Sequence, residues 1–193
     1  MICLVTMPYA SLERPSLPLG LLHNYISPFG HQVEVIYGTL KFAAKVGCER
    51  YYSIESAFNE DLVGEWTFSR SAFLDHQSTF KAVDSEAFIS ADRDKAYLAT
   101  LGLSPEACQR LLGLREQAEQ FIDELAAEIL AKNPKIVGCS STFQQNCASL
   151  ALLRKIKTAR PDIITLMGGA NCEGVMGQTI SQVFDWVDYV FSG

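Results

Sequence analysis

The chain has 193 residues, 48% hydrophobic and 20% charged, with sixteen basic against twenty-two acidic side chains for a formal charge of −6. That is the content of one domain with a sizeable core, and its 10% aromatic residues speak against a disordered chain. The acidic balance speaks against nucleic acid or an anionic membrane as partner. No apolar run approaches the roughly 18 residues of a spanning helix, and Met1 leads into Ile2-Cys3-Leu4-Val5-Thr6 without a basic leader, so a cytoplasmic location is expected.

The predicted elements begin with a short apolar run over 2–5, a buried strand that enters a loop at Met7-Pro8 and continues through Pro15 and Pro18. Leu19, Leu22 and Ile26 recur at helical spacing until Pro28 and Gly30 stop the pattern, and 31–36 alternates toward a second strand. From about 40 to 115 the strand-helix alternation is lost. Stretches 42–52 and 97–112 look helical, and Trp66, Phe68, Phe73, Phe80 and Phe88 make the segment too apolar for a linker, so it reads as a helical insertion. Those aromatics suit either a local core or a peptide groove.

Regularity returns with Ala118, Phe121, Ile122, Leu125 and Ile129 on one helix face, ending near Asn133-Pro134. A strand over 135–139, a helix over 145–158, a strand over 163–167, a helix over 175–184 and a strand over 187–191 follow. Short apolar runs alternating with helices predict an α/β, Rossmann-like (flavodoxin-like) domain. Its five-stranded parallel sheet takes the order 2-1-3-4-5, with the insertion after the second strand. The topological switch then falls between the first and third strands, and ligand loops are expected at 6–20, 140–145 and 168–174.

These loops carry no G-x-G-x-x-G, no Walker lysine and no flavodoxin-type phosphate cradle. Tyr37 stands where a dinucleotide site wants a carboxylate, while Met7 and Ser140 stand where a phosphoacceptor domain needs acids. The third loop, Ser140-Ser141-Thr142-Phe143-Gln144-Gln145-Asn146, is rich in hydroxyls and amides, which either cap the next helix or meet a polar, neutral ligand. The fourth, Gly168-Gly169-Ala170-Asn171-Cys172, begins on two glycines that suit either a tight turn or close backbone approach to a bulky ligand.

Cys3, Cys48, Cys108, Cys139, Cys147 and Cys172 form no C-x-x-C pair and read as reduced thiols. None of His23, His31 and His76 falls in a ligand loop, and no Ser-His-Asp order or carboxylate pair can be assembled there. The residues by themselves describe a binding domain without catalytic machinery.

Pro18-Leu19-Gly20-Leu21-Leu22, Val137-Gly138-Cys139-Ser140-Ser141-Thr142, Met167-Gly168-Gly169-Ala170-Asn171 and Val187-Asp188-Tyr189-Val190-Phe191-Ser192-Gly193 together resemble the N-terminal cobalamin-binding domain of B12-dependent radical SAM enzymes. Met7-Pro8-Tyr9-Ala10-Ser11-Leu12-Glu13-Arg14-Pro15-Ser16, Gly64-Glu65-Trp66, the run from Ser140 to Asn146, and Gly169-Ala170-Asn171-Cys172-Glu173-Gly174 are similar to the radical SAM proteins that mature ribosomally made peptides such as bacteriocins.

The resemblance spans nearly the whole of 1–193. It implies cobalamin in this domain, and a downstream radical SAM barrel holding a 4Fe-4S cluster and S-adenosylmethionine. It also implies C-methylation of a precursor peptide. Residues 1–193 contain no C-x-x-x-C-x-x-C, so neither the cluster nor S-adenosylmethionine is expected here, and no catalytic residue is assigned.

The D-x-H-x-x-G that supplies a cobalt ligand in another class of cobalamin domains is also absent, the nearest approach being Asp75-His76 in the insertion. By the resemblance, Ser140, Ser141, Thr142 and Gln144 meet the nucleotide tail or corrin amides. Gly168, Gly169, Ala170 and Asn171 give backbone approach, and Pro8, Tyr9 and Gly20 shape the first wall. The alternatives are a cofactor-free module that binds a precursor peptide or partner protein, and a small-molecule carrier that holds a nucleotide in the same crevice.

Overall fold

A computed structural model describes residues 1–57, 60–73 and 90–192, with the side chain of Ala57 left aside. Phe80, Phe88 and the Asp75-His76 pair lie outside the described residues. Five short strands, β1 (Ile2–Thr6), β2 (Val33–Tyr37), β3 (Ile136–Ser140), β4 (Ile164–Gly168) and β5 (Tyr189–Phe191), form an all-parallel sheet in the order β2-β1-β3-β4-β5. The expected α/β architecture and strand order are therefore present.

Register aligns Tyr37, Thr6, Ser140, Gly168 and Phe191 in one row along the C-terminal end of the sheet. Because parallel neighbours in register share a face, this row, the Leu4-Gly138-Leu166-Tyr189 row and the Ile2-Ile136-Ile164 row point to one side. Cys3, Val5, Val137, Cys139, Thr165 and Met167 point to the other and are buried.

α1 (Leu17–Ile26) is capped by the Ser16 hydroxyl, which accepts from the Leu19 N–H at 3.5 Å. Of its expected apolar face only Leu19 is buried, Leu22 being 45% exposed. The right-handed crossover of parallel strands puts α1 on the first side and the helices of the later crossovers on the second. The burial pattern agrees, since Ile164, Tyr189 and Phe191 on the first side remain exposed.

The second side holds the core. α2 (Gly38–Val46) and α3 (Cys48–Ala57) split the predicted 42–52 helix at Gly47, whose φ of 91° lies in the left-handed region that a side chain disfavours. α4 (Val63–Phe73) packs between α6 (Pro105–Ala131) and α7 (Asn146–Ala159).

The predicted 97–112 helix is likewise two. α5 (Ala91–Thr100) ends before Gly102, at φ 62°, and α6 restarts on the Ser104 cap with Pro105 in its first turn. Ala118, Phe121, Ile122, Leu125 and Ile129 are all buried, as their spacing predicts. α8 (Gly174–Val183) leads to β5.

Phe42, Phe68 and Phe121 bring ring centroids within 5.0 to 6.5 Å of one another, so the insertion belongs to the main core. Each such buried aromatic contributes roughly 1.5–3 kcal/mol of hydrophobic stabilisation. Phe68 is core; Phe73 stacks on Phe184 at 5.8 Å and Trp66 on Tyr97 at 5.4 Å. Among the described residues, no helix is long and apolar enough to cross a membrane.

Candidate functional site

A crevice of about 340 Å³ opens between the ends of β1 and β3, at the switch point. Thr6, Tyr37 and Ser140, three members of the terminal row, line it from the sheet. Ser11, Arg14 and Ser16 line it from the loop that enters α1, while Thr142 and Phe143 line it from the β3 loop. Apart from Arg14 and Glu55, one charge of each sign, its polar groups are hydroxyls and amides that donate and accept without carrying charge.

The β3 loop is held from both sides. Gln145 Nε2 donates to Thr6 Oγ1 at 3.2 Å and to the Met7 carbonyl, and its Oε1 accepts from the Thr142 N–H at 3.0 Å and hydroxyl at 2.9 Å. This Thr142–Gln145 capping box turns Phe143 outward with φ 49°. A non-glycine residue there costs about 1–2 kcal/mol. Asn171 Nδ2 donates to Ser141 Oγ at 3.0 Å and to the Phe143 carbonyl at 2.9 Å, which ties the β4 loop to the β3 loop.

Of the residues expected at the ligand, Tyr9, Ser140 and Thr142 border the crevice. The Tyr9 ring itself is buried against Tyr51, Phe42 and Phe68, and burial holds its phenol far above the ordinary range. Pro8 is buried behind the loop, and Gly20 lies on the exposed side of α1 with nothing within 4 Å of a would-be Cβ.

Ser141 is fully buried, and Gln144 turns inward, where its Oε1 accepts from the Gly64 N–H at 2.7 Å. Gly168 takes an ordinary place beside Phe191, and Ala170 is exposed outside the crevice lining. Gly169 has φ 98°, and a Cβ there would stand 2.5 Å from the Ser141 carbonyl oxygen. The glycine thus serves the joint between the two loops, and a bulky residue would break that joint before it met any ligand.

The Gly64-Glu65-Trp66 string is explained by packing. A Cβ on Gly64 would come within 2.6 Å of the Tyr9 ring and 2.9 Å of Gln144. Glu65 accepts from the Asn146 N–H at 2.8 Å and the Cys147 N–H at 2.6 Å, capping α7 from α4. Burial raises its carboxyl above the usual range, against the opposing pull of those two donors. Trp66 Nε1 donates to Asp94 at 3.1 Å, and the Arg115 guanidinium sits 4.6 Å over its indole while pairing with Asp94.

Sequence reading placed Thr6, Ser11, Arg14, Ser16, Phe143 and Gln145 within the expected ligand loops without singling them out, and missed Tyr37. Thr6 and Tyr37 end their strands, so the pairing register alone would have found them. Ser16 is a helix cap before Leu17-Pro18, a recognisable signal, and Arg14 stands in the run from Met7 to Ser16 that carries the resemblance, although the resemblance assigns it no role.

Cys172 is buried with its thiol pushed up to about 11, which keeps it from acting as a nucleophile. Among the described residues no group of three or more His, Cys, Asp or Glu could hold a metal ion, and neither His23 nor His31 lines the crevice.

Sheet order and crevice together define a Rossmann-like α/β protein with an open switch point. No protein-family model, curated protein or solved structure matches the chain.

Proposed function

We propose that this crevice and its rim bind cobalamin, and that the chain is the N-terminal domain of a radical SAM enzyme that C-methylates a ribosomally made precursor peptide. The observation that carries the reading is the switch-point crevice whose polar groups are mainly uncharged hydroxyls, beside a rim whose Phe143 and Phe191 are 81% and 62% exposed. Uncharged hydroxyls and amides suit the amide-rich periphery of a corrinoid, and Arg14 suits the single negative charge of its nucleotide tail.

Ser140, Thr142, Tyr37 and Ser16 would hold the tail, with Gly168 leaving the sheet end open beside them. Among the described residues the lining contains no imidazole, and these side chains would position and enclose the group. When bound, the cofactor supplies a metal-bound methyl group for transfer. The 4Fe-4S cluster and S-adenosylmethionine belong, in this reading, to a downstream barrel.

A second reading, a cofactor-free module that binds a precursor peptide or partner protein, is favoured by the exposed Leu17, Leu21 and Tyr25 of α1. Hydroxocobalamin incubated with the chain and then desalted separates the two. The cobalamin reading expects retained corrinoid absorption in the parent and in Gly20→Leu, where the added side chain meets open space. Ser140→Leu, which fills the crevice floor, is expected to lose it. Ser140→Ala should weaken binding only about twofold to tenfold, the worth of one neutral hydrogen bond. No retention by the parent, or equal retention by Ser140→Leu, overturns the cobalamin reading.

A further inference from the structure

Phe143 is the residue whose conformation folding explains least. Its ring is 81% exposed, belongs to no aromatic pair among the described residues and stays outside the hydrophobic core. Its backbone sits at φ 49°, a region disfavoured for a bulky side chain, where Asn or Gly is the usual occupant. Three hydrogen bonds that do not involve the ring hold the loop there: the two that link Gln145 to Thr142, and Asn171 to the Phe143 carbonyl. An exposed apolar ring in an unfavourable backbone well lowers the stability of the free chain and is paid back only when something covers it. What it borders is the crevice at the switch point.

We infer that Phe143 is a ligand-stacking residue: its ring forms the lip of the crevice and lies against the flat, π-bearing part of whatever occupies it. The capping box and the Asn171 tie fix the backbone that carries the ring before the ligand arrives, so little loop entropy remains to be lost on binding. Selectivity follows, because a planar conjugated ligand can lay its π face against the ring in an offset stack while meeting the hydroxyl donors of the crevice. The inference rests on the crevice being a ligand site and adds the ligand's shape and the residue that reads it.

The test compares the parent with Phe143→Asn and Phe143→Trp in thermal unfolding and in titrations with hydroxocobalamin, flavin mononucleotide and adenosine. Asn tolerates the left-handed region, so Phe143→Asn is expected to melt no lower than the parent, yet to bind the preferred ligand at least about fivefold more weakly. Phe143→Trp is expected to keep affinity within about twofold and to show its indole fluorescence quenched on saturation.

If hydroxocobalamin does not bind but a second planar ligand does, with the same dependence on position 143, the cobalamin reading falls and the stacking role stands. If hydroxocobalamin binds the parent and Phe143→Asn equally, the stacking role falls and the cobalamin reading stands. A lower melting temperature for Phe143→Asn would make the ring a structural element and overturn the inference. So would failure of all three ligands to bind the parent, which would leave the ring to a protein contact.

Discussion

Gln145 and Gln144 stand side by side and do different work. Gln145 bridges the end of β1 to the β3 loop across the switch point, and all of its bonds are made inside the protein. Gln144 faces the other way and fastens the insertion by accepting from Gly64. Both are buried, so truncation strips their partners of hydrogen bonds that the fold supplies. Gln145→Ala is expected to lower the unfolding free energy by about 1–3 kcal/mol in urea titration, and a loss below about 0.5 kcal/mol would show that the bridge is not made. Side by side in the sequence, the two amides were indistinguishable as caps, ligand donors or braces, because an amide's role is set by what the fold places opposite it.

The helices and strands were legible where a single period ran without interruption. The apolar face of α6 is buried at each position its spacing marks, since a stripe at 3.6-residue period can be buried only as a helix. The breaks between α2 and α3 and between α5 and α6 were missed, because a glycine inside a helical pattern signals a stop only when its backbone is known to be left-handed.

The start of β5 was also less legible than its interior. Asp188 Oδ2 accepts from Lys157 Nζ at 2.6 Å, the Thr165 N–H at 2.8 Å and the Thr165 hydroxyl at 3.0 Å, tying α7 and β4 to the entry of β5. Partial burial opposes ionisation, but the lysine and the two Thr165 donors outweigh it, so the carboxyl titrates below its ordinary value of 3.8. The unfolded chain then binds more protons between the folded and unfolded pKa values. The stability Asp188 contributes is therefore present above about pH 3.8 and lost as pH falls through the folded pKa. Unfolding measured from pH 6 to pH 2.5 should show a shallower acid-side loss in Asp188→Asn than in the parent, and identical slopes would remove this role.

At the scale of the whole molecule the sheet is lopsided. Among the described residues its core side is covered by the helices from α2 to α8, and α1 is the one α-helix on its other side, with Tyr189 and Phe191 59% and 62% exposed on the far strand. The thiols report how deep this packing runs. Cys3, Cys139 and Cys172 are buried, with burial foremost in pushing their pKa values up to about 11, 12 and 11, while Cys48 is exposed. An aromatic disulfide reagent at pH 8 is expected to modify Cys48 within minutes and those three only after unfolding. Rapid reaction of all six cysteines in the folded chain would contradict the packing described.

What the sequence determined alone was the number, kind and order of the strands and the location of the ligand loops at one end of the sheet. Hydrophobic period is a local property, and parallel crossovers admit few arrangements. Which loop residues face the crevice was decided only by tertiary structure. Ser140, Thr142 and Phe143 open on it, while Ser141, Gln144 and Gly169 close on the protein itself. Neighbours in a tight turn point in different directions, and the partners of Ser141 and Gln144 lie 30 and 80 residues away along the chain, where no local pattern can register them.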